Sequence, residues 1–266
     1  IGASIHRVDE LYNTPRQIED GPGVEFPPGP LSVEFREVSF GYAPGDPVLK
    51  DLSFCLERGS VLGVLGRTGS GKTTITRLIF RLYDVQAGTI LLGGRDIRLA
   101  RLSQLRAGVG LVTQDVQLFE ASVRENLTFF DPTVSDERIL RAVADLGLDN
   151  WLARLPAGLD THLSASGGGL SAGEAQLLAL VRVFLKDPGL VVLDEASSRL
   201  DPGTERLIES GIARLLRGRT AIIIAHRLGT VARADRIMIV EEGRVREEGE
   251  RQTLARDPHS RFRELL

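Results

Sequence analysis

Short apolar runs and longer amphipathic stretches take turns along this chain, punctuated by glycine and proline. Residues 32–40 set Val33, Phe35 and Val38 among polar neighbours, the period of two that marks a strand with one buried face, and 48–56 predicts a second strand. Residues 61–65 form a continuous apolar strand that runs into glycines, and 73–82 follows with helical periodicity. Further strands are expected at 89–92, 109–112, 190–193, 221–225 and 237–240, with Gly243 turning a hairpin before Val245. Between Gln114 and Arg182 the pattern becomes helical: Ser135 opens a helix running to Leu146, and Ser171 opens another running to Leu185. Buried strands alternating with helices predict an α/β fold with a mostly parallel sheet, into which residues of about 115–185 are inserted as a helical subdomain.

The front of the chain reads differently. Residues 3–12 repeat Ile5, Val8 and Leu11 on one face, the tail of a helix that Pro15 ends. Residues 19–30 are rich in proline, glycine and acid, the composition of an exposed linker, so the ordered domain is expected to span 31–266 behind a linker at 1–30. The sequence starts at Ile1 and its single methionine is Met238, which predicts a segment of a longer polypeptide. No continuous apolar region at the front resembles a secretory signal.

Composition narrows the function. Hydrophobic residues at 42% and charged residues at 26% fit a globular protein with a real core, and no apolar run approaches the length of a membrane span. A net charge of −3 gives no encouragement to nucleic-acid binding. Cys55, the single cysteine, can form neither an internal disulfide nor a zinc site by itself. Only Lys50, Lys72 and Lys186 are lysines, so the basic residues are nearly all arginine.

One of those lysines lies in the sharpest motif. Gly66-Arg67-Thr68-Gly69-Ser70-Gly71-Lys72-Thr73 matches G-x-x-x-x-G-K-[ST] at every fixed position, between an expected strand and an expected helix. Glycines let the backbone wrap tightly with its N–H groups facing phosphate oxygens, and the following helix adds the positive end of its dipole. Lys72 can reach the β- and γ-phosphates and the Thr73 hydroxyl can ligate Mg²⁺. A plain glycine-rich turn is the bland alternative; a full match in the right context favours nucleotide binding. A second element agrees with it: the apolar strand at 190–193 runs into Asp194 and Glu195. Asp194 can hold Mg²⁺, and Glu195 can steer an attacking water. Acids at a strand end are common, so this pair gains its meaning from the phosphate cradle.

Three more features complete an ordered set. Gln114 follows the strand at 109–112, Leu170-Ser171-Ala172-Gly173-Glu174 opens a helix ahead of the Asp194 strand, and His226 ends the strand at 221–225. In this order the motifs resemble the nucleotide-binding domain of ATP-binding cassette (ABC) transporters, over nearly all of residues 31–250. The resemblance implies a P-loop NTPase with a RecA-like core, an antiparallel β edge and a helical subdomain, working as an ATPase on ATP and Mg²⁺. It implies that Gly66, Arg67, Thr68, Gly69, Ser70, Gly71, Lys72, Thr73 and Thr74 bind ATP, and that Tyr42 stacks on the adenine. Thr73, Gln114 and Asp194 would attend Mg²⁺, with Gln114 also contacting the transmembrane partner. Glu195, His226 and Lys72 would be catalytic, and Asp201 would take part in cross-talk across a dimer. Ser171, Ala172, Gly173 and Glu174 would cap ATP held by an opposing domain, so the resemblance implies a second nucleotide-binding domain, like or unlike this one.

Two departures stand in the capping segment. Ala172 and Glu174 replace a glycine and a glutamine of the usual L-S-G-G-Q, which adds a methyl group and puts an anion near a polyphosphate. Ser164-Ala165-Ser166-Gly167 also lacks an acidic residue often found there in exporters. The lead-in at 3–18 and the stretch 118–127 resemble exporters, which implies a membrane domain in the same polypeptide and a place on the cytoplasmic face of the cell membrane. The interval between Lys72 and Ser171 is too short for the coiled coil of an SMC-type repair ATPase. Importer ATPases normally begin close to their first strand. A regulatory module that holds ATP without turnover is the other class open; Glu195 and His226 favour a motor enzyme.

Overall fold

The computed structural model describes residues 18–113, 115–164, 170–194, 201–225 and 228–266, without the side chain of residue 228. The helix expected at 3–12 lies outside them, as do Gln114, Glu195 and His226. Strands β1 (Val33–Phe40), β2 (Leu49–Leu56) and β3 (Val61–Leu65) lead into helix α1 (Lys72–Ile79), followed by β4 (Ala87–Leu92), β5 (Arg95–Asp96), α2 (Leu102–Gly108) and β6 (Val109–Val112). The middle of the chain supplies β7 (Ala121–Ser122), α3 (Val123–Thr128), α4 (Asp136–Asp145), α5 (Asp149–Leu152), β8 (His162–Leu163) and α6 (Ala172–Lys186). Then come β9 (Leu190–Asp194), α7 (Pro202–Leu215), β10 (Thr220–Ile224), β11 (Arg236–Glu241), β12 (Arg244–Glu250), α8 (Arg251–Arg256) and α9 (Arg261–Leu265).

The main sheet has the order β12-β11-β3-β10-β9-β6, parallel from β11 to β6, with β12 antiparallel on one edge. Strands β3 and β10 are buried at every position because both faces of the sheet are covered, which is why they read as unbroken apolar runs. Alternation along these strands divides the interior in two. Leu62, Val64, Val192, Ile222 and Ile224 face α1 and a separate antiparallel sheet, β2-β1-β4-β5. Val61, Leu65, Val191, Leu193 and Ile223 face the side where α4, α6 and α7 pack. The fold is therefore the expected one, an α/β P-loop core with an antiparallel layer and a helical insertion. No helix among the described residues is long and apolar enough to cross a membrane.

Three expectations need amendment. Residues 19–30 are exposed or half-exposed as expected, but they are fastened to the domain and do not hang free as a linker. The Asp20 carboxylate accepts from Leu102 N–H at 2.6 Å, Gly23 N–H donates to the Leu99 carbonyl at 2.9 Å, and Val24 and Phe26 pack on the core. Proline and glycine report on backbone freedom, and these hydrogen bonds remove it. The helix expected at 73–82 stops at Ile79, because Arg81 turns left-handed (φ 47°) and buries its guanidinium against Asp84 at 2.7 Å. The region around 115–185 is also not purely helical, since β7 and β8 pair across its base.

Phe35 is 1% exposed and stacks on Phe54 with ring centroids 4.6 Å apart. Phe35→Ala is expected to lower unfolding free energy by about 3–5 kcal/mol in urea titrations, whereas Leu140→Ala on the open face of α4 should change it by less than about 0.5 kcal/mol.

Candidate functional site

Parallel strands carry their carboxyl ends to one edge of a sheet, and loops leaving that edge can converge on a ligand. Here Val64 and Asp194 both lie level with Ile224 on the intervening strand β10, so the exits of β3 and β9 are two strands apart. The loop after β3 turns on Gly66 (φ 154°), Gly69 and Gly71 (φ 108°) and closes with Ser70 N–H on the Arg67 carbonyl at 3.1 Å. A Cβ on Gly66 would stand 2.3 Å from the Val240 carbonyl oxygen, so only glycine fits there.

Helix α1 starts with Gly71 at its N-cap and no side-chain cap. Its first amides thus lack the partner that serine or aspartate would give them, and they face the loop with the positive end of the helix dipole. Lys72, almost wholly buried, donates to the carbonyls of Gly66 at 2.7 Å and Arg67 at 3.0 Å, which holds its ammonium over the loop. Ser70 Oγ is buried with no hydrogen-bond partner among the described residues. An orphaned donor beside uncapped amides and an ammonium is a set that an anion satisfies. Arg67, Thr68 and Thr73 expose their side chains around this loop, and a cavity of about 300 Å³ borders residues 67–70.

Tyr42 and Thr74 are joined. The Tyr42 hydroxyl lies 3.1 Å from Thr74 Oγ1 and accepts from Arg77 Nη1 at 3.0 Å, while its ring packs edgewise on Phe40 and Tyr83. A half-exposed ring held by four neighbours is a preorganised platform beside the cradle. Thr74, buried, acts as one of its supports.

At the far end of the inserted region, Ser171 caps α6. Its Oγ accepts from Glu174 N–H at 3.2 Å, and the Glu174 carboxylate accepts from Ser171 N–H at 2.8 Å and from the Ser171 hydroxyl at 2.9 Å. This is a reciprocal capping box. Glu174 is thereby folded back on its own helix, a geometry that S-x-x-E already spelled out in the sequence. Ala172 is exposed and Gly173 buried. Asp201 caps α7 by accepting from Gly203 and Thr204 N–H, both at 3.0 Å, and the Thr204 side chain, followed by its backbone N–H, holds the Asp201 carboxyl below the usual range. The cradle and Asp194 share one sheet edge; Ser171 belongs to the helical insertion.

One surface feature escaped the sequence reading. Phe119, Phe129 and Phe130 form an exposed aromatic ridge, with Phe119 edge-on to both neighbours at 6.2 and 5.4 Å. Phe129 (φ 52°) and Phe130 (φ 64°) are consecutive left-handed residues, each costing roughly 1–2 kcal/mol.

A family model described as ABC transporter matches residues 49–198. The chain is 40% identical over 247 residues to the fatty acid ABC transporter ATP-binding/permease protein of Mycobacterium bovis, covering 93% of this chain and 39% of that protein. It is 44% identical over 237 residues to the mycobactin import ATP-binding/permease protein of Mycolicibacterium smegmatis, covering 89% of this chain and 27% of the other. The chain thus spans well under half the length of these relatives. Among solved structures, a bacterial Atm1-family ABC exporter with ATP bound superposes with a TM-score of 0.88 at 35% identity, over 99% of this chain and 46% of that one.

Gly66→Ala is expected to weaken nucleotide binding by about tenfold or more, the equivalent of 1–3 kcal/mol of backbone strain. Isothermal titration with ATP checks it; unchanged affinity would mean that the Gly66 turn does not shape the site.

Proposed function

This chain belongs to the ABC transporter family, whose members are ATPases coupled to transport, as an ATP-binding domain, and on that premise we propose that it closes with a second such domain around ATP to drive cargo across a membrane through an attached exporter-type permease. The observation that carries this reading is the loop of Gly66–Thr73, with unsatisfied donors and Lys72 over it, at the sheet edge shared with Asp194.

In this reading the amides of 66–73 and Lys72 hold the phosphates, and the adenine stacks on Tyr42. Thr73, Asp194 and Gln114 would hold Mg²⁺, which screens phosphate charge when bound. Glu195, one residue past the end of β9, orients the attacking water, and His226, just beyond β10, contacts the γ-phosphate. The N-terminus of α6, from Ser171 to Glu174, caps the nucleotide of the opposing domain, and Asp201 sits where the two domains exchange contacts. The Glu174 carboxylate keeps the Ser171 proton turned inward. A negative charge at this end of α6 opposes an incoming phosphate.

The aromatic ridge gives the permease an apolar footing on the helical subdomain. Cargo is chosen by the permease, and relatives differ in theirs, one being named a fatty acid transporter and another a mycobactin importer. The ATP-binding domains would lie on the cytoplasmic face, where ATP is available.

Two substitutions test the reading in the full-length protein in lipid nanodiscs. Glu195→Gln should cut ATP hydrolysis by about 100-fold or more while ATP binding persists; hydrolysis equal to wild type would assign a non-catalytic role to Glu195. Glu174→Gln keeps the box but removes its charge, so the apparent KM for ATP should fall by about two- to fivefold at low salt and less at high salt. A salt-independent, unchanged KM would remove Glu174 from the composite site.

A further inference from the structure

Helix α6 is apolar along most of its length, yet Arg182 sits within it, half-buried. Among the described residues its guanidinium makes three hydrogen bonds, all to neutral oxygens. Nε donates to the Asn126 carbonyl at 2.6 Å, Nη1 to the Gln117 carbonyl at 2.8 Å, and Nη2 to Asn126 Oδ1 at 3.0 Å. No carboxylate among the described residues pairs with it, and burial pushes its pKa down to about 10. Retaining an uncompensated cation there is costly, and three carbonyl-type acceptors do not offset it as an acid would.

Its partners explain the cost. Asn126, fully buried, donates to the carbonyls of Phe119 and Ser122 at 3.0 Å each and accepts from Phe119 N–H at 2.9 Å. The guanidinium also lies under the Phe129 ring, 4.7 Å from its centroid. A planar fork is the side chain that can span two carbonyls and carry a ring on its face at once. Through Arg182, α6 is therefore joined to the loop before β7, to α3 and to the aromatic ridge. The same rigid helix carries Ser171 at its N-terminus, about 16 Å away along the axis.

We propose that Arg182 is a positioning residue that couples the Phe119–Phe129–Phe130 ridge to the Ser171 end of α6, so that what covers the ridge governs how well Ser171 caps the opposing ATP. This inference rests on the capping role given to α6 above. Charge alone would not serve, since lysine lacks the fork.

The test uses the full-length protein in nanodiscs and reads ATPase kcat, ATP affinity and melting temperature together. Arg182→Met is expected to lower kcat by about tenfold or more while ATP affinity stays within about twofold, because the cradle lies on another element. Arg182→Lys should recover the melting temperature but not kcat. Phe129→Ala combined with Arg182→Met should be no slower than the worse single variant, since both cut one connection. Losses of kcat, affinity and melting temperature in parallel would assign Arg182 a purely structural role and overturn the proposal, as would additive losses in the double variant. If Arg182→Met does not fold, Arg182→Lys decides: kcat equal to wild type overturns the coupling, and a fall of about threefold or more supports it. A wild-type protein with no ATPase would overturn the function proposed above; an active wild type matched by Arg182→Met would overturn this inference alone.

Discussion

A polyphosphate carries more negative charge than the few cationic side chains at one loop can match, so the donors must come from the backbone. In this protein they come from the turn between β3 and α1, where glycine stands at the helix N-cap and no side chain consumes the leading amides. Such a turn is useful only if it cannot relax to pair its own donors. A side chain at Gly66 would run into the Val240 carbonyl, so the turn holds its shape only with glycine there, and Lys72 ties the two carbonyls at its rim. The parallel sheet beneath, packed on both faces, is what keeps those distances fixed.

The same chain answers the same problem in the opposite way at α6. Two helix N-termini thus face different fates: α1 is left open by glycine, whereas α6 is closed by Ser171 and Glu174 acting on each other. One end waits for an anion; the other already has one. That contrast gives the domain a polarity, one helix N-terminus left open and one capped by its own residues, and it arises from a glycine at the first and two side chains at the second.

Much of this was legible beforehand because of how burial writes itself into sequence. Strands β3, β9 and β10 are covered on both faces, so their apolar runs had no competing reading, and the cradle follows from fixed spacing. What stayed hidden was either short or tertiary. Elements such as β5, β7 and β8 have two residues each and show no period. The early end of α1 depends on Arg81 finding Asp84, and the ridge depends on left-handed turns at two phenylalanines, which no periodicity announces. Glu174 looked like a departure from a motif when its spacing from Ser171 already described a cap. Arg182 reads as a charge in the apolar middle of a helix, and only its acceptors disclose what it holds together.

The segment at 19–31 has a mechanical meaning. Arg81 grips the Glu19 carbonyl, Arg58 grips that of Pro30, and Leu31 N–H is bonded to Gly189 just ahead of β9. The chain is therefore a taut strap laid across both sheets instead of a slack leash. A tug arriving along the polypeptide at residue 18 would be delivered into the body of the domain within a few residues, with little slack to absorb it.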